Sequence, residues 1–148
     1  MKILSLDCAT KTGWAIYDGR LIESGVQDFS KRRGDSNGMM FLRFRKWLHE
    51  IMADHTPAVV VYEQSHHRGG AATEIGVNLT GRVQEVCAEL GVEFTAVHTA
   101  SLKKWACGHG KADKAQMIER AAAIIGRAPI DDNEADAVLL AAYMDRDV

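Results

Sequence analysis

Three carboxylates in this chain stand where apolar elements could hold them rigidly. Asp7 closes the run Ile3 to Leu6, Glu63 follows the run Ala58 to Tyr62, and Asp136 lies early in the last helical segment between Ala135 and Ala137. Strands that end side by side can bring such distant acids together. Hard divalent cations such as magnesium take oxygen ligands of this kind. Two such ions about 3.5–4 Å apart activate water and stabilise the leaving oxygen of a phosphodiester. Each acid alone has a plainer reading: a turn residue for Asp7 and Glu63, a solvated helix residue for Asp136. The alanines beside Asp136 suit close packing of its helix on a sheet. A fourth ligand would come from the stretch Asp131, Asp132, Asn133, Glu134. Positions three and four before Asp136 share its helix face, which selects Asn133 and Asp132. Asp132 carries the charge, while Asp131 or Asp132 could instead cap the helix.

The other reactive residue types offer less. Three cysteines (Cys8, Cys87 and Cys107) with no CxxC pair argue against a disulfide framework and a zinc site. Cys87 falls on an apolar helical stripe, and Cys8, beside Asp7, has no histidine at a telling spacing to make it a nucleophile. The net charge of -2 does not advertise nucleic-acid binding, but a metal-binding acid cluster lowers the net charge, so local distribution matters more. Basic residues do cluster: Lys31, Arg32 and Arg33; Arg43, Arg45 and Lys46; Lys103, Lys104, Lys111 and Lys114.

The elements that must position these groups follow from periodicity. Ile3 to Leu6, Trp14 to Tyr17 and Leu21 to Phe29 read as three strands, with a turn-rich stretch from Cys8 to Gly13 and a hairpin signal at Asp18-Gly19. Ser30 to Gly38 reads as a polar loop. Met40, Phe41, Phe44, Trp47, Leu48 and Ile51 follow helical spacing, and this helix ends before Pro57. Ala58 to Tyr62 has the continuous apolar character of a buried central strand. After the loop Ser65 to Gly70, a helix carries Ile75, Leu79, Val83, Val86, Cys87 and Leu90 on one side and stops at Gly91. Val92 to Val97 is a fifth strand, Ser101 to Ala106 a short helix, Asp113 to Ile125 another, and Glu134 to Met144 the last. The expected fold is α/β: a five-stranded mixed sheet, three strands antiparallel and then two parallel, flanked by helices. The 148 residues, 47% of them apolar, fit one globular domain over 1–148. The opening MKILSLD is too short and too soon polar for a signal peptide. No run approaches a membrane span, so a cytoplasmic protein is expected.

The segments LSLDCATKTGWAI, VVYEQ, SLKKWACGHGKADKAQM and NEADAVLLA resemble the RuvC family of Holliday-junction resolvases, especially its shorter phage-type members. They run the length of the chain in the family's order. The resemblance implies an RNase H-like fold and a homodimer in a bacterial or phage-infected cell. It also implies hydrolysis dependent on magnesium or manganese, two ions per site, nicking opposed strands of a four-way DNA junction. By this resemblance, Asp7, Glu63 and Asp136 look like three of the family's four acidic ligands. The fourth, three residues before the last, is Asn133 here, so either Asn133 serves as a neutral oxygen ligand or Asp132 reaches in. Lys103 and Lys114 resemble the family lysines that contact DNA near the scissile phosphate and steady the transition state. Lys111 and the loop Lys31, Arg32 and Arg33 would add backbone contacts. Where bacterial members place an aromatic residue beyond the glutamate, this chain has Gln64-Ser65-His66-His67-Arg68. His66 and Arg68 could stack on bases in its stead.

Three other readings share these features. ATP-binding proteins of the actin, sugar-kinase and heat-shock class have a phosphate loop like Asp7 to Gly13, but need two such domains. Another nuclease of the same fold could act on flaps, forks or structured RNA. A binding module could retain the fold without catalysis. The helices Met39 to Ile51 and Ile75 to Leu90 are candidates for a dimer surface, although their stripes are equally explained as core.

Overall fold

A computed structural model of the chain describes residues 1–64 and 69–146. His66 and Arg68 therefore lie outside the described residues. Five strands, β1 (Ile3–Asp7), β2 (Lys11–Tyr17), β3 (Leu21–Asp28), β4 (Val59–Glu63) and β5 (Glu93–Val97), form one sheet in the order β3-β2-β1-β4-β5. β1 pairs antiparallel with β2 and parallel with β4, β2 pairs antiparallel with β3, and β4 pairs parallel with β5. This is the mixed sheet expected from the sequence. The middle strands β1 and β4 are covered on both faces, so every residue of each is buried except its terminal acid. β5 is an edge strand whose first four residues are exposed or only partly covered.

The helices are α1 (Asn37–His55), α2 (Ala71–Leu90), α3 (Thr99–Cys107), α4 (Lys114–Ile125) and α5 (Asp132–Asp145). α1 and α2 cover one sheet face, closing a core of Leu4, Leu6, Phe44, Leu48, Leu79 and Val83. α3, α4 and α5 cover the other, around Ile3, Val61, Leu102, Met117 and Leu139. Several elements begin earlier than their apolar spacing suggests. β2 starts at Lys11, because Thr12 and Gly13 already pair with β3. α1 starts at Asn37 because the Ser36 side chain caps it by accepting from the Met39 backbone N–H. α4, by contrast, starts at Lys114, one residue after the expected Asp113, because Asp113 is its cap in a reciprocal capping box with Gln116. α5 starts at Asp132, with Asp131 as its cap accepting from the Glu134 N–H at 2.8 Å.

α5 lies unusually close to the sheet, for reasons written in small residues. A Cβ added at Gly13 would stand 1.9 Å from the Asn133 carbonyl oxygen and 2.7 Å from the Glu134 nitrogen. Gly13 is not in the left-handed region, so it is needed for space rather than for conformational freedom. Ala15, Ala135, Ala137 and Ala141 are fully buried along this contact, and the Ser5 hydroxyl donates to the Ala137 carbonyl at 2.5 Å. Among the described residues no helix is long and apolar enough to cross a membrane.

Candidate metal centre and nucleic-acid interface

The strand register brings the acids together. β1 and β4 run parallel, so Asp7 and Glu63 emerge at the same end of neighbouring strands. α5 crosses that end with its first turns, and Asp136 comes down beside them. Asp7, Glu63 and Asp136 each offer a carboxylate oxygen, and these oxygens all lie within 4.8 Å of one another. All three are half-buried. Glu63 and Asp136 border a cleft of about 210 Å³ whose walls also include Thr99, Lys103, Lys114 and Asp132.

So much negative charge in so little space perturbs the acids. Burial, then the neighbouring charges of Glu63, Asp136 and Asp132, hold the Asp7 carboxyl well above the usual carboxylate range. Burial, then Glu63 and Asp132, push Asp136 up to about 7, with a hydrogen bond to Asp7 and the Lys103 ammonium pulling the other way. The acids thus crowd together with too little positive charge of their own to balance them. A divalent cation is the partner such a donor set suits, because it takes oxygen ligands and compensates the charge in place.

The neighbours sort the remaining candidates. The Lys114 ammonium lies 3.3 Å from an Asp132 carboxylate oxygen, and Lys114 is otherwise well exposed. Asp132 therefore stands at the cleft, four residues and about one turn before Asp136. Asn133 is engaged elsewhere: its side-chain N–H donates to the Lys11 carbonyl at 2.7 Å, tying α5 to β2. Asp131 is the cap, leaving Asp132 free to face the acids. Lys111 is exposed in the turn before α4. Lys31, Arg32 and Arg33 are exposed on the loop after β3. Since Lys11 pairs with Asp28 and Gly13 with both Asp7 and Val26, that loop leaves the sheet at the same end as the acids. Burial and the adjacent Asp7 push the Cys8 thiol far up, away from the thiolate that a nucleophile needs. A larger apolar hollow of about 360 Å³, lined in part by Met52, Pro57, Leu90 and Val92, lies near the opposite end of the sheet, away from this chemistry.

Sequence reasoning missed two features. Thr99, the first residue of α3, donates its hydroxyl to Glu63, orienting that carboxylate much as a second partner orients a metal ligand. A threonine after a strand carries no signal of this, because the contact depends on how α3 docks. Glu134 was one acid among several in the sequence, yet it is fully buried and faces away from the cluster.

The fold and the acidic cluster define an RNase H-like α/β architecture with a carboxylate centre at one end of its sheet. The chain superposes on Thermus thermophilus RuvC in complex with Holliday junction substrate with a TM-score of 0.83, at 23% identity, covering 99% of this chain and 95% of that one. In sequence it is 28% identical to the crossover junction endodeoxyribonuclease RuvC of Halorhodospira halophila over 149 aligned positions, 95% of this chain and 87% of the relative. It is 33% identical to the RuvC of Corynebacterium efficiens over 103 residues, 68% of this chain. That match spans 46% of the corynebacterial protein, somewhat under half its length. No protein-family model matches the chain. Sequence and fold similarity together support the RuvC family of Holliday-junction resolvases.

Proposed function

We propose that the protein is a metal-dependent endonuclease that resolves four-way DNA junctions by paired phosphodiester hydrolysis. The observation that carries this reading is the meeting of Asp7, Glu63 and Asp136 within 4.8 Å at the end of a RuvC-like sheet. Asp7, Glu63, Asp136 and Asp132 would hold two magnesium or manganese ions, with Asp132, which lines the cleft, rather than Asn133 as fourth ligand, since the Asn133 amide N–H holds that side chain toward Lys11. When bound, such ions supply Lewis acidity and an activated water for in-line displacement at phosphorus. The chain's own groups do the rest. Thr99 fixes the direction of Glu63. Lys103, beside Asp136, and Lys114, beside Asp132, neutralise charge on the scissile phosphate and its transition state. Lys111 and the loop Lys31, Arg32 and Arg33 track the backbones of the arms without reading sequence. His66 and Arg68 would contact bases near the junction centre.

Two opposed nicks require two active sites, so the working form is a homodimer whose two-fold axis matches that of an open junction. Met39 and Leu42 on α1 and Val77 on α2 are exposed apolar residues suited to such a surface. A bacterial or phage-infected cytoplasm would be its setting.

The test is a cleavage panel of junction, flap, fork, duplex and structured RNA in magnesium, with wild type and Asp7→Asn. Symmetrical paired nicks confined to the junction are expected, and Asp7→Asn should bind it without nicking. Cleavage by Asp7→Asn at the wild-type rate would overturn the metal assignment. Preferential cleavage of flaps or RNA would replace the substrate.

A further inference from the structure

Glu134 is the one charged side chain that is fully buried among the described residues. A buried carboxylate is costly unless its lone pairs are filled, and here they are. One oxygen accepts from an Arg127 guanidinium nitrogen at 2.9 Å and from the Ile130 backbone N–H at 2.6 Å. The other accepts from the second guanidinium nitrogen at 2.7 Å and from the Ser24 hydroxyl at 2.8 Å. Arg127 also donates to the Ala128 carbonyl at 2.9 Å. The forked, two-bond pairing of guanidinium and carboxylate fixes orientation as well as distance. One carboxylate thus gathers the segment between α4 and α5, the first turn of α5 and the middle of β3.

That turn also carries the acids of the cleft. Glu134 is two residues from Asp132 and two from Asp136, about 200° around the helix in each direction. Asp132 and Asp136 therefore project from the side opposite Glu134, and any roll of the helix about its axis swings both of them across the cleft. The Asn133–Lys11 hydrogen bond and the Gly13 contact fix the height of this turn above β2. The Glu134 contacts reach laterally to β3, where they oppose rotation.

We propose that the Glu134–Arg127 pair, with Ser24, is a positioning clamp that sets the roll of α5 and thereby aims Asp132 and Asp136 at Asp7 and Glu63. The inference rests on the reading of those acids as a metal centre. Neither clamp residue touches the cleft, so both are positioning residues. A purely structural role would be satisfied by anything that restores packing, whereas a positioning role needs the directional bonds.

Two variants separate these roles. Arg127→Met/Glu134→Leu replaces the buried carboxylate and its half-exposed guanidinium partner together with apolar groups, so no buried charge is left unpaired and stability is commonly preserved. Arg127→Lys keeps the charge and loses the fork. Each would be measured for thermal midpoint, for Mn²⁺ affinity by calorimetry and for junction binding in EDTA. The double variant should keep a near-wild-type midpoint and metal-free junction affinity, yet bind Mn²⁺ at least about 10-fold more weakly, the scale seen when partners of metal ligands are lost. Arg127→Lys should fall between the two, so the test survives if the double variant fails to fold. Mn²⁺ affinity equal to wild type in a folded double variant, or in Arg127→Lys, overturns the clamp and leaves the metal centre standing. Absence of Mn²⁺ binding in the wild type overturns the metal centre and the clamp with it.

Discussion

Gly13→Ala is a small change aimed at the contact that sets the depth of α5. The added Cβ would sit 1.9 Å from the Asn133 carbonyl oxygen, where real contacts stay beyond 3.0 Å. Backbone must therefore yield by about 1.1 Å, because the obstacle is the helix itself and no side chain can rotate out of the way. Overpacking of this kind costs about 1–3 kcal/mol, or roughly 2–4 °C in Tm for each kcal/mol at this chain length. The larger effect should be functional. Asp7 pairs with Gly13 across the β1–β2 ladder, so lifting α5 carries Asp136 away from Asp7 directly. A misplacement of about 1 Å in a catalytic constellation costs about 100-fold in rate. Single-turnover junction cleavage in magnesium, alongside a thermal melt and an Mn²⁺ titration, would measure all three consequences. Gly81→Ala is the control: a Cβ there meets nothing within 4 Å on its helix, and it should be neutral or slightly stabilising. Wild-type cleavage and metal affinity in Gly13→Ala would refute the idea that close approach of α5 builds the site.

Further outcomes follow from the electrostatics. With Asp136 raised from 3.8 to about 7 in the folded state, the unfolded chain releases its proton first, so the metal-free protein should lose stability as pH rises from about 4 to about 7, by no more than about 4 kcal/mol from this group. Denaturant midpoints across that range should fall for wild type, fall less steeply in Asp136→Asn, where Asp7 still contributes, and flatten in saturating Mg²⁺; a flat metal-free wild-type profile would remove the strain from the cluster. Asp132→Asn should weaken Mn²⁺ binding and cleavage by about 10-fold or more, whereas Asn133→Ala should act mainly on stability, through the lost bond to Lys11. The reverse ranking would make Asn133 the fourth ligand.

Much of the sheet is legible in the sequence because its cause is local. The continuous apolar run before Glu63 and the short, mostly apolar run before Asp7 read as strands, and the Asp18-Gly19 turn marks the hairpin between β2 and β3. Apolar spacing places helix starts late where a polar cap defines the first turn, as at Ser36 and Asp131. Of the site, the three converging acids were visible because strand ends mark them. What distinguishes the surroundings of Asp132 from those of Asn133 was not, since both lie about a turn from Asp136, and the Lys11 carbonyl that engages the Asn133 side chain is on a strand 122 residues away. Glu134 and Thr99 were hidden for the same reason: their partners, Arg127 with Ser24 and Glu63, are fixed by docking rather than by periodicity.

The hydrogen bond from Ser5 to Ala137 joins residues 132 positions apart. Helix α5 covers β1 and β2, so these strands wait for a helix synthesised well after them. Closing so long a loop is entropically expensive, and in this protein the acids repel one another at the moment it closes. A cation that binds only the closed form adds RT ln(1 + [M]/Kd) to folding. A divalent cation held by these acids would then favour completion of the fold, and a partly unfolded chain would lack the carboxylate cluster altogether.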